Sequence, residues 1–259
     1  MILKFDYQMR LFYSEEVRGC HFTIKCIPKE TQRQHLAEYE IKMLPKTLYS
    51  FGKDSFENRQ IYGHISEAHD SFFFGIKGLV ESLDTDLEEE AEENHIALYR
   101  YPHGKCIPGE KIKAVFHKLE IPDGNAREKS MAVMHGLHNY FVYAKAKTGM
   151  ATSAEEAMSL GMGVCQDYAQ ISICLLRMAG IPARYVCGFM AGEGESHAWV
   201  EYLHEGKWYG FDPTNDCPIG SGYVKLGDGR DSADCAINRA TMYGGGSQRQ
   251  EVTAIVTEE

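Results

Sequence analysis

The sequence predicts an α+β protein in two parts: a β-rich region over residues 1–122, arranged as an antiparallel sandwich or meander, and a mixed region over residues 123–259. Three observations predict it. The first part holds several short β-rich runs with no clear amphipathic helix between them. A turn-forming stretch, Ile121-Pro122-Asp123-Gly124-Asn125, follows. Beyond it lie two helical patterns and then three strands in succession.

In chain order, the β-rich runs are residues 4–13, 21–27, 39–44, 60–65 and 71–80. After the turn, Met131, Met134, Leu137 and His138 recur at helical spacing, which predicts a helix over residues 127–139. A second helix starts near Cys165 and runs through Tyr168, Ile171, Leu175 and Met178. Gly180 closes it as a C-terminal cap, and Pro182 stops it. Apolar residues surround this helix on nearly every side, so it is expected to be central and buried. Residues 184–190, 196–203 and 207–212 read as strands, the last ended by Pro213, and residues 251–257 read as a final β-like run.

The chain has 259 residues, enough for two modest domains, and its 44% hydrophobic and 25% charged composition is that of a folded protein. With 27 Lys plus Arg against 37 Asp plus Glu, the net charge of −10 repels a phosphate backbone, which excludes nucleic acid as an expected partner. The acidic run over residues 88–93 reads as a solvated surface segment. The N-terminus lacks the basic start and apolar core of a secretory signal, and no segment approaches the ~18 apolar residues of a membrane span. A cytoplasmic location with no membrane partner is the expectation. The eight cysteines show no C-x-x-C pair, so they are expected to be mostly reduced, buried, small apolar side chains.

Chemistry concentrates at two places. Gly161-Met162-Gly163-Val164-Cys165 sets flexible glycines before a helix, so that Cys165 sits at the helix N-terminus. There the dipole and the free N–H groups favour a thiolate and can hold an oxyanion. In the second place, residues 196–212, a two-residue turn at Glu205-Gly206 makes His204 face Lys207 and Trp199 face Asp212. His197 then lies diagonally from Asp212 on one sheet face, roughly 7–8 Å away at Cβ, and a one-residue slip would separate them. A cysteine nucleophile, an imidazole base and an orienting carboxylate are the parts of a triad. Pattern alone does not bring helix and hairpin together.

The segments Gly163-Val164-Cys165-Gln166-Asp167-Tyr168-Ala169, Gly180-Ile181-Pro182-Ala183-Arg184-Tyr185-Val186, Ser196-His197-Ala198-Trp199-Val200-Glu201 and Trp208-Tyr209-Gly210-Phe211-Asp212-Pro213-Thr214-Asn215 resemble, in this order, the bacterial transglutaminase-like family. Asp54-Ser55-Phe56-Glu57-Asn58 and Val80-Glu81 are similar to the β region that precedes the catalytic core in that group, with Glu57 where the family usually has glycine. The resemblance implies a papain-like core with Cys165, His197 and Asp212 as catalytic triad. It also implies an amide or peptide hydrolase, since such relatives are regarded as candidate cysteine proteases or amidases. Transamidation by an amine is the alternative outcome of the same acyl-enzyme, and a catalytically silent binding or scaffold protein is the second alternative.

Gly163 and Trp199 are further candidates for the substrate site, Trp199 either walling the cleft or filling the core. Asp167 is expected to cap the helix start. Residues 227–234 resemble a loop near the cleft of relatives, although their composition favours an exposed turn. No cofactor or metal is expected: His135 and His138 lack a recognisable set of further ligands, and no calcium-loop spacing occurs. The expected partner is a protein or peptide bearing an amide. Asp212→Asn is expected to slow the reaction and leave the fold nearly intact.

Overall fold

The computed structural model describes residues 1–259, the side chain of Asn94 excepted. Strand β1 (Ile2–Ile24) is the spine of an eight-stranded antiparallel sheet. Leu3, Phe5, Tyr7, Met9, Leu11 and Tyr13 alternate onto its buried face, as the two-residue period requires. The first half of β1 pairs with β5 (His69–Ser82), and the second half, after a register shift, pairs with β4 (Arg59–Ile65). β2 (Gln34–Leu44) pairs with β5, and β3 (Tyr49–Lys53) with β4. The two β-rich runs predicted near 4–13 and 21–27 are thus one strand.

The next short strand, β6 (Leu87–Glu90), leaves this sheet for a second one. After the short helix α1 (Glu93–Ile96) come α2 (Glu110–Lys118), α3 (Ala126–Tyr140), α4 (Ala154–Leu160) and α5 (Cys165–Met178). Two-residue strands β7 (Val142–Tyr143) and β8 (Met162–Gly163) pair in parallel before α5. The second sheet comprises β9 (Ala183–Met190), β11 (His197–His204), β12 (Lys207–Asp212), β13 (Cys217–Pro218) and β14 (Tyr223–Gly229), in the order β13-β12-β11-β9-β14, with β6 on β12. Helix α5 lies on this sheet and is buried on nearly every side, as the apolar residues around it predict, and Asp167, Gln170, Ser172 and Arg177 are buried with them. Gly180, at φ +80°, ends it: its N–H donates to Arg177 O and the Ile181 N–H to Leu176 O.

The structure departs from the sequence expectations in further places. Helix α2 was not expected, although Ile112, Val115, Phe116 and Leu119 carry the helical period; Ile112 and Val115 point into the core. The end of the chain does not belong to the second region alone. Strands β15 (Asn238–Gly244) and β16 (Gln248–Glu258) both pair with β1, and β10 (Gly192–Gly194) joins β16, so the N-terminal sheet closes only with the C-terminus in place.

The acidic run is not wholly solvated. Glu88 is fully buried against Arg33, at 2.7 Å, and Glu89 meets Arg184 at 2.7 Å. Finally, residues 227–229, 231 and 232 are buried rather than exposed. Asp228 is held at 2.6 Å by Lys29 and 3.1 Å by Lys225, and Lys225 also grips Glu201 at 2.9 Å. A carboxylate can enter the interior when cations enter with it, and composition cannot reveal that pairing.

These ion pairs join the two sheets. Asn58 adds to them: its side chain donates to Asp228 O at 2.7 Å and accepts the Asp228 N–H at 2.9 Å. Glu57 adopts φ +61°, the left-handed region that favours glycine, so the turn keeps its shape at a strain cost. Phe189 and Val224 of the second sheet pack into the apolar face of the first, with Tyr7 and Phe189 rings 5.3 Å apart. No helix among the described residues is long and apolar enough to cross a membrane.

Candidate active site

Cys165 is the first residue of α5. The pairing of Tyr143 with Gly163 fixes the approach, and Val164 in extended conformation turns the chain into the helix. Asp167 then reaches back to accept the Val164 N–H at 2.8 Å and the Thr148 hydroxyl at 2.6 Å. This is the cap predicted for Asp167. Burial raises its pKa while those two bonds oppose the rise. A Cβ on Gly163 would lie 2.3 Å from the Asp167 carboxylate, so glycine is required there by the cap. Gly163 is itself buried and lies under the cleft rather than along it.

The hairpin of β11 and β12 has the predicted register: Glu205 and Gly206 both have positive φ, His204 pairs with Lys207 and Val200 with Phe211. The consequence is a hydrogen bond of 2.6 Å from His197 Nε2 to Asp212 Oδ2. The same oxygen accepts the Asn215 side-chain amide at 2.6 Å and the Tyr223 hydroxyl at 3.0 Å. Asp212 Oδ1 accepts the Thr214 and Asn215 backbone N–H groups at 2.8 and 3.2 Å. Asp212 is fully buried with five donors around it.

Burial pushes the His197 imidazole pKa down, but the hydrogen bond to Asp212 and contact with the Cys165 thiol outweigh it and bring it up to about 10. Since Nε2 serves Asp212, Nδ1 is the nitrogen left for Cys165. Burial likewise raises Asp212, and the bonds from His197, Asn215 and Thr214 reverse this and hold it below the usual carboxylate range. An imidazolium between a thiol and an anchored carboxylate can give up a proton and regain it at one place.

Trp199 is completely buried. It packs edge-on to Tyr223 at 5.4 Å and fills the space that Gly188 leaves, so it backs the histidine from beneath and does not line the cleft. Tyr223 and Asn215 are the members that sequence reasoning left without a role. Asn215 stands three residues after Asp212, a spacing that suits a side chain folding back on a carboxylate. Tyr223 comes from β14 and has no local signal. His135 is exposed and meets Asp216 at 2.6 Å, and His138 lies near Pro213 O. Among the described residues no group of three or more potential ligands is placed to hold a metal ion.

Cys165 and His197 open onto a cleft of about 970 Å³. One wall is the segment before α5, with Tyr143, Lys145 and Met150. The facing wall comes from the first sheet, with Tyr7, Gln250 and Val252. The loop that delivers His197 is tied to that wall, because Gly192 to Gly194 pair with Val256 to Ala254.

Residues 115–213 match the transglutaminase-like superfamily, and residues 3–81 match the bacterial transglutaminase-like N-terminal region. An uncharacterized protein of Mycobacterium leprae, ML0607, is 36% identical over 125 residues; the match takes in 44% of each chain, so this chain covers less than half of that relative. The uncharacterized protein Mb2599c of Mycobacterium bovis is 32% identical over 264 residues, covering 89% of this chain and 84% of its own. A crystal structure from Cytophaga hutchinsonii, named as a candidate cysteine protease, superposes with a TM-score of 0.81 at 22% identity, over 100% of this chain and 91% of that one. That likeness bears on the fold.

Proposed function

The chain belongs to the transglutaminase-like superfamily, and from that premise we propose that it is a cysteine-dependent amide hydrolase, with Cys165 as nucleophile, His197 as acid and base, and Asp212 as the group that orients His197. The observation that carries this reading is the 2.6 Å bond from His197 to a buried, five-fold coordinated Asp212, beside a cysteine at a helix N-terminus. With its pKa near 10, His197 is an imidazolium at neutral pH, ready to protonate a leaving amine.

The Cys165 sulfur attacks the amide carbonyl carbon, and the N–H groups at the start of α5 stabilise the oxyanion. The C–N bond breaks as His197 gives its proton to the amine, leaving a thioester. Water then attacks, its proton passes to His197, and the C–S bond breaks to release the acid and restore the thiolate. Tyr143, Lys145, Met150 and Glu195 on the rim are exposed, so the thioester is open to water, which favours hydrolysis over transfer to an amine. The substrate is an amide within a protein or peptide.

The test is the alkylation rate of each cysteine against pH, read by peptide mass spectrometry in wild type and His197→Ala, followed by amide substrates with and without an added amine. Fast labelling of Cys165 well below pH 8 that is lost in the variant supports the reading, and acid rather than amine adduct as product supports hydrolysis. A Cys165 no faster than the other cysteines, unchanged by His197→Ala, sinks it in favour of a silent scaffold.

A further inference from the structure

The cleft wall facing Cys165 carries chemistry that the proposed triad does not use. Tyr7, Ala254 and Gly194 form one cross-strand row over β1, β16 and β10, so they share a face of the first sheet. Tyr7 is only 1% exposed, yet it lines the cleft, and its hydroxyl makes no hydrogen bond among the described residues. Such a hydroxyl, without a protein partner at the edge of a cavity, leaves an acceptor and a donor for whatever enters.

Glu195 stands one residue beyond β10 and two before His197. It is exposed in the cleft and forms no ion pair among the described residues. Its neighbour Gly194 belongs to the Tyr7 row and His197 lies two residues on, so Glu195 stands between the first-sheet wall and the histidine, in the cleft that Tyr143 and Cys165 also line. Lys145, on the Tyr143 side, and the His197 imidazolium, which is engaged by Asp212, are the cations that share the cleft. A free carboxylate, a free phenolic oxygen and aromatic faces together match a group with several N–H donors and a positive charge.

We propose that Tyr7 and Glu195 form a subsite for a cationic side chain of the substrate, which makes the substrate class an amide next to an arginine-like or lysine-like group. The inference rests on the amide-cleaving role proposed for this cleft. Placement of the recognition group on the first sheet gives that sheet a part in specificity as well as in support.

The experiment is equilibrium binding to the Cys165→Ala protein, followed by NMR, of Nα-acetyl-argininamide and of its neutral isostere Nα-acetyl-citrullinamide. The arginine compound is expected to bind about two- to five-fold more tightly, as one partly exposed charge pair provides. Glu195→Gln should abolish the difference, and Tyr7→Phe should reduce it. Equal binding of the two compounds, including no detectable binding of either, overturns the proposal, and so does an arginine preference that survives Glu195→Gln. Because the nucleophile is absent, the outcome is independent of whether Cys165 proves reactive in the alkylation experiment.

Discussion

Replacing Asp212 by asparagine tests the site at its most constrained atom. Five donors converge on this carboxylate, two on Oδ1 and three on Oδ2. An amide has one oxygen, so whichever way the asparagine is turned, its NH2 end faces at least two donors. Leaving two buried donors without an acceptor costs about 1–3 kcal/mol each, so the fold is expected to lose about 2–6 kcal/mol. This corrects the sequence-based expectation that Asp212→Asn leaves the fold nearly intact, which took no account of Tyr223 and Asn215.

The imidazole responds as well. Moving His197 from its ordinary 6.5 to about 10 corresponds to about 5 kcal/mol of preference for the charged ring. Without the carboxylate, burial acts unopposed except by the thiol, and His197 should titrate about 3 pH units lower, near or below neutrality. A histidine-selective NMR titration reads the shift of His197, and urea unfolding reads the loss of stability. A His197 midpoint that moves by less than about one pH unit, or an unfolding midpoint equal to wild type, would refute the reasoning.

Two other outcomes follow from the same geometry. His197 is raised in the folded state, so its pairing contributes stability that is fully present below about pH 6.5 and lost as pH rises through about 10. Wild type should therefore lose a few kcal/mol more than His197→Gln between pH 6 and pH 10 in urea unfolding, and parallel losses would contradict the assigned pairing. Gly163→Ala places a methyl 2.3 Å from the Asp167 carboxylate, which must break the bond to Val164 at a cost of about 2–3 kcal/mol. Melting should fall by about 5 °C and Cys165 labelling should slow. A variant that melts with wild type would remove the cap from the explanation.

The N-terminal region is part of one structure with the core. Its turn at Asp54 to Asn58 grips Asp228, its cations Lys29 and Arg33 enter the ion pairs between the sheets, and its β1 holds the C-terminal strand that in turn holds the His197 loop. Removing one partner of such a pair leaves a buried charge without compensation, so the two sheets are coupled in stability.

The sequence by itself determined what depends on near neighbours. The two-residue turn at Glu205-Gly206 set the hairpin register and so brought His197 to Asp212, because side chains in a strand alternate with a fixed period of two. The helix from Cys165 to Met178, its Asp167 cap and its Gly180 end follow from contacts three to six residues apart. Tertiary structure alone decided which distant strand lies beside which. That Tyr223 completes the Asp212 site, that Glu88 and Asp228 are buried, and that β16 runs between β1 and β10 could not be read locally. Many alternating strands can pair with β1 equally well as patterns. The choice among them is made by burial of whole faces and by charges that find their opposites across the fold, terms that exist only once the sheets have met.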